Sequence, residues 1–103
     1  MANESFVLRI KDRPEQQDAR ELLEVVLAGA SLGLELDVVF EGMAVAFLES
    51  ESARPWRQLL DHDLARLWYC GDPVESDRQV LPATRLDAHQ RDHLLDGRVN
   101  MEL

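Results

Sequence analysis

Asp18 to Phe40 reads DARELLEVVLAGASLGLELDVVF, and a change of hydrophobic period inside this stretch decides the fold. Leu22, Val25, Val26, Gly29 and Leu32 recur at the spacing of one helix face. Leu23, Leu27 and Ala30 widen that face, and Arg20, Glu21, Glu24 and Ser31 are left for water. Asp18 followed three residues later by Glu21 is a capping-box pattern, and Gly33 supplies a stop, so the spacing predicts a helix from Ala19 to Leu32. Leu36-Asp37-Val38-Val39-Phe40 then runs almost continuously apolar, as a strand covered on both faces does. Asp37 is the residue in it that this pattern does not explain.

On the amino-terminal side, Ser5 to Ile10 is rich in β-forming side chains and stops at the polar stretch Lys11 to Asp18, which contains Pro14. On the other side, Gly42 marks a turn, and Met43 to Leu48 is too short for periodicity to decide; we read it as a buried helical turn. Pro55 is placed to open a helix that carries Trp56, Leu59, Leu60 and Leu64. Ala65 to Cys70 is the third strand. Asp72, Pro73 and Glu75 spell a second capping box, which predicts a short helix ending near Gln79. Val80 to Thr84 contains Pro82 and is expected at a sheet edge. Leu86 to Leu95 reads as a last helix closed by Gly97, and Val99 to Leu103 as a last strand. Strands alternating with helical segments imply an α/β fold: a small, mostly parallel five-stranded sheet with helices on both faces, a flavodoxin-like three-layer arrangement in a single domain spanning 1–103.

A chain of 103 residues has room for one domain, which hides roughly 65% of the surface that the unfolded chain would expose. Its hydrophobic residues fall in short clusters, and none forms the run of about eighteen that a membrane span needs. Met1 to Ser5 lacks the pattern of a secretory leader, so the expected location is the cytoplasm. Eleven basic against twenty acidic residues leave a formal charge of -9. A polyanion meets repulsion at such a surface, so no direct nucleic-acid partner is expected.

Cys70 is the sole cysteine, which excludes an internal disulfide and leaves its thiol either packed as a small hydrophobe or chemically used. It falls at the carboxyl end of the third strand, where reacting groups gather in open parallel sheets. The N–H groups of a following helix would favour the thiolate, while Asp72, Glu75 and Asp77 would push the thiol pKa up. Arg66 or Arg78 could approach it in space. His89 and His93 stand one helical turn apart and could share a metal only with a third ligand that the sequence does not offer; we read them as a solvated helix face. Asp61-His62-Asp63 could make His62 a base, but is read as a hydrated helix end. Trp56 and Trp68 are read as core or subunit-contact residues. With no Gly-x-Gly-x-x-Gly and no Walker sequence, no nucleotide cofactor is expected, and no metal either.

Leu64 to Cys70 (LARLWYC), Pro82 to Ala88 (PATRLDA) with the helix after it, and Phe40 to Val45 (FEGMAV) together resemble the DsrE/DsrF-like sulfur-relay proteins, in particular the TusC/DsrF branch. The likeness spans almost the whole chain. It implies a small α/β subunit that joins related DsrE-like subunits in a homo- or hetero-oligomer and takes part in passing sulfur as a persulfide between donor and acceptor proteins. In one branch of the family that sulfur serves thiolation of a tRNA wobble uridine. Cys70 stands where the family's sulfur-carrying cysteine would fall. TusC-like subunits often support a partner that carries the essential cysteine, so two roles stand open. Either Cys70 thiolate takes the outer sulfur of a donor persulfide and yields it to an acceptor thiol, or the chain is a supporting partner. A third reading is an oligomeric interaction protein unrelated to sulfur transfer.

Overall fold

The computed structural model describes residues 5–103, so the amino-terminal reading falls largely on Met1 to Glu4, outside the described residues. Five strands form one sheet: β1 (Ser5–Ile10), β2 (Glu35–Phe40), β3 (Arg66–Cys70), β4 (Thr84–Leu86) and β5 (Val99–Glu102). Their spatial order is β4-β3-β2-β1-β5, and every neighbouring pair is parallel. The chain steps across the sheet from β1 to β4 and then returns to the far edge for β5. With right-handed crossovers, that reversal puts the last connection on the face opposite the others. The expected three-layer α/β architecture is therefore present.

Alternation along the strands defines two unlike faces. Leu8, Ile10, Leu36, Val38, Phe40, Leu67 and Tyr69 point into the main core, together with Ala19, Leu23 and Val26 of helix α1 (Gln16–Ser31). Over the same face lie two 3-10 helices, Gly42–Glu49 and Glu51–Arg57, and the single turn α2 (Gln58–Asp61). Phe40, Phe47 and Trp56 form an aromatic triangle there, with ring centroids 5.5–5.9 Å apart. The indole N–H of Trp56 donates to the Ala19 carbonyl at 3.1 Å, joining this layer to α1. Residues Val7, Arg9, Asp37, Val39, Arg66, Trp68 and Cys70 point the other way, toward α3 (Ala88–Leu95).

Several local expectations are corrected. Helix α1 starts at Gln16 with Glu15 as its cap and no side-chain bond, so the Asp18–Glu21 capping box does not form. Asp18 lies in the first turn instead, where its charge suits the helix dipole. The buried stripe runs through Ala19, Leu23 and Val26, leaving Val25 and Leu32 exposed. The stop at Gly33 is as expected. Gly33 has φ +81°, and its N–H and that of Leu34 bond back to Ala30 and Gly29, a Schellman motif.

Pro55 sits inside the second 3-10 helix rather than opening an α-helix. That helix begins earlier, where the Ser50 hydroxyl accepts from the Ser52 N–H at 3.2 Å. Trp56 and Leu59 are buried as expected, but Leu60 is not. No helix or capping box forms over Asp72 to Gln79; one 3-10 turn, Ser76–Arg78, stands there. Competing partners account for this: the Val74 N–H donates to the Tyr69 hydroxyl at 2.9 Å, and the Val80 and Leu81 N–H groups donate to the Leu48 carbonyl at 2.7 and 3.1 Å. Those last bonds also shift the edge strand from Val80–Thr84 to Thr84–Leu86. Helix α3 starts at Ala88, two residues later than read, because Asp87 and Gln90 form a reciprocal capping box at 2.7 and 2.9 Å.

Candidate functional site

The carboxyl edge of the sheet gathers the chain's thiol and its densest charge network. Cys70 ends β3 half-buried, and Gly71 follows with φ +129°, a backbone that side chains rarely adopt. This sharp turn carries the chain away from the sheet directly after the thiol. The guanidinium of Arg85, on β4, donates to the Gly71 carbonyl at 2.7 Å and holds the turn. Cys70 opens onto a cleft of about 540 Å³ lined by Val45, Glu49, Asp72, Val74, Glu75 and Arg78, among others.

Glu41, just past the end of β2, organises the other side of the site. Its carboxylate accepts from Arg9 at 2.8 and 3.2 Å and from Arg91 of α3 at 3.1 Å. Burial alone would raise its pKa, but the bonds and charges of Arg9 and Arg91 prevail and hold it below the ordinary carboxylate range. The network runs on through Glu102, which pairs with Lys11 at 2.8 Å and lies 3.8 Å from Arg9.

Burial, and after it the charge of Glu41, push the Cys70 thiol above its ordinary pKa; Arg91, Arg9 and Arg85 oppose this without prevailing. The sequence set two opposed influences on this thiol, and neither is the one that acts. Asp72, Glu75 and Asp77 are not the charges responsible, and there is no helix behind Cys70 to favour the thiolate. Of the two cations expected near it, Arg78 lines the cleft. Arg66 is turned instead to Asp37.

Asp37 is the residue that the sequence pattern left unexplained, and it is fully buried. Arg66 grips it with two bonds of 2.8 Å, the Trp68 indole N–H donates at 2.7 Å, and Arg98 approaches at 2.6 Å. Burial would raise its pKa; the three donors and the Arg98 charge together lower it. This cluster ties β2, β3 and the turn before β5 together. Its signal in the sequence was an acid in an apolar strand, although its partners lie too far along the chain to be read from spacing.

The remaining candidates do not converge. His89 and His93 are exposed on α3 beside Asp92 and Asp96, and no group of three or more possible metal ligands gathers among the described residues. His62 is exposed at the end of α2, between Asp61 and Asp63. Trp56 is a core residue and Trp68 a half-buried ligand of Asp37. No helix among the described residues is long and apolar enough to cross a membrane. No protein-family model matches the chain, and no curated protein matches it either.

Proposed function

We propose that this chain is a cytoplasmic subunit of a sulfur-relay assembly of the TusC/DsrF-like type, in which it supports a related subunit that carries the sulfur. The observation that carries the supporting role is the setting of Cys70: half-buried, facing Glu41, with its pKa pushed up and no helix N-terminus behind it. Thiol exchange favours an attacking thiol with a pKa near ambient pH, and this one lies on the wrong side of that optimum. The resemblance in segments 64–70 and 82–88 supports the relay itself, as does a parallel sheet with a cysteine at its carboxyl edge. A destination in tRNA thiolation belongs to the same proposal.

A second reading, in which Cys70 itself carries the persulfide, draws on Arg9, Arg85 and Arg91, whose charges favour an anionic sulfur at that position. Intact mass after incubation with polysulfide, for the wild type and Cys70→Ser, separates the two roles. The expected result is no lasting sulfur on Cys70, with sulfur taken up by a related subunit recovered as a stable complex. Rapid gain of one sulfur by the wild type alone would make Cys70 the carrier. Failure to retain any related subunit would overturn the relay reading.

A further inference from the structure

We infer that the chain forms a two-fold dimer by pairing the outer edge of β5 with the same strand of a second copy. β5 borders the sheet, and its inner side pairs with β1. The Leu103 N–H donates to the Arg9 carbonyl at 2.9 Å, which sets the direction of every backbone group in the strand. In a parallel pair the residues alternate, so Val99, Met101 and Leu103 bond inward while Asn100 and Glu102 direct their N–H and C=O groups outward. The side chains divide likewise. Val99 and Met101 stand beside Phe6 and Leu8 on the α1 side, 55% and 43% exposed, and Leu103 continues the series at 40%. No proline guards this edge, and the carboxylate of its one charged residue, Glu102, is already held by Lys11.

The pattern selects a copy of itself, in one register. With the axis through Met101, Asn100 faces Glu102 of the second copy at hydrogen-bonded positions, twice over, and all four outward backbone groups on each strand are paired. On the α1 side Met101 meets Met101, and Val99 meets Leu103, so apolar faces apolar throughout. An axis through Asn100 would need the Arg98 N–H, which is bonded to the Leu95 carbonyl at 3.3 Å. An axis through Glu102 would set two carboxylates directly opposite, which is destabilising. Each copy carries a formal charge of -9, so long-range repulsion opposes the dimer and salt relieves it. The association therefore tightens as ionic strength rises. This inference does not rest on the sulfur-relay reading.

Cysteine crosslinking in a Cys70→Ser background tests it. Met101→Cys places two thiols at a non-hydrogen-bonded pair, where Cα atoms lie about 4.5 Å apart, inside the range a disulfide spans. Val99→Cys places its two thiols about 14 Å apart along the strands. On mild oxidation the Met101→Cys chain is expected to become a covalent dimer and the Val99→Cys chain to stay monomeric on a non-reducing gel. Sedimentation of the wild type is expected to show a dimer that strengthens with salt, and Met101→Lys a folded monomer by circular dichroism. Failure of Met101→Cys to crosslink faster than Val99→Cys, or a wild type that is monomeric at every salt concentration, would overturn the dimer.

Discussion

The two faces of the sheet are stabilised by different physics. Beneath α1 and the 3-10 helices, Phe40, Phe47, Trp56 and Leu59 are fully buried among other apolar side chains, and the core needs only shape and burial. Beneath α3, the sheet buries Asp37 and nearly buries Glu41, and each carboxylate is held by guanidinium groups from other elements. Helix α3 has no fully buried residue of its own. The first face is a thick hydrophobic layer in which a change of volume is costly; the second is a thinner layer in which buried carboxylates are matched by guanidinium groups. A small domain with only eight residues of helix to cover one side of its sheet can complete that side with ion pairs around a few buried apolar residues, here Val7, Val39 and Leu86.

The largest effect expected from this contrast is on the apolar side. Trp56→Ala removes a buried ring and its bond to Ala19, and is expected to cost about 3–5 kcal/mol in denaturant unfolding. On the polar side, Asp37→Ala strands Arg98 in the interior and is expected to cost about 3 kcal/mol. That is the low end for breaking a buried pair, because Arg66 is 59% exposed and regains water.

Acid distinguishes the faces further. Asp37 and Glu41 both have folded pKa values lowered below the unfolded ones. Their contribution is therefore full above the unfolded carboxylate range, about 3.9–4.3, and is lost as pH falls from there through the folded values. The stability gap between the wild type and Asp37→Ala should shrink across that window, whereas the Trp56→Ala gap should not. A constant Asp37 gap down to strong acid would show that the carboxylate's charge contributes nothing.

Asp87→Ala, which removes the α3 capping box, is expected to cost about 1 kcal/mol. The smallest change concerns reactivity. Alkylation of Cys70 is expected to have its midpoint above the ordinary thiol value of about 8.5, and Glu41→Gln is expected to lower that midpoint by removing the facing negative charge. An unchanged midpoint would leave burial as the whole cause.

The legible parts of this molecule are those in which one segment carries its own signal. β1 matches the expected span, α1 and β2 are displaced only at their ends, and the stop at Gly33 is visible in one residue. Asp72 to Gln79 carried an equally good helix signal and failed, because the Tyr69 hydroxyl and the Leu48 carbonyl take N–H groups on either side of it. The capping box that does form, Asp87 with Gln90, is a local pattern that was open to reading and was missed. At the site, the place of Cys70 at the end of β3 followed from strand order, but its neighbours did not. Glu41, Arg9 and Arg91 converge from three elements, and nothing in their spacing announces it. Trp56, read as a core or subunit-contact residue, and Phe47 and Leu48 of the stretch read as a buried helical turn are fully buried in the 3-10 layer.

The pairing of β5 with β1 has a consequence in time. Phe6 meets Val99, so the sheet's outer strand joins the sheet only when nearly the whole chain closes into a loop. Closing so long a loop costs entropy before any contact rewards it, whereas β1, α1 and β2 assemble from near neighbours. Until that closure Asp37 holds only Arg66 and Trp68, and Arg98 completes its coordination as the last segment arrives. On this argument the Arg98–Asp37 pair is expected to act as a latch that closes late, and hydrogen exchange should then show the β5 amides less protected than those of β1 and β2.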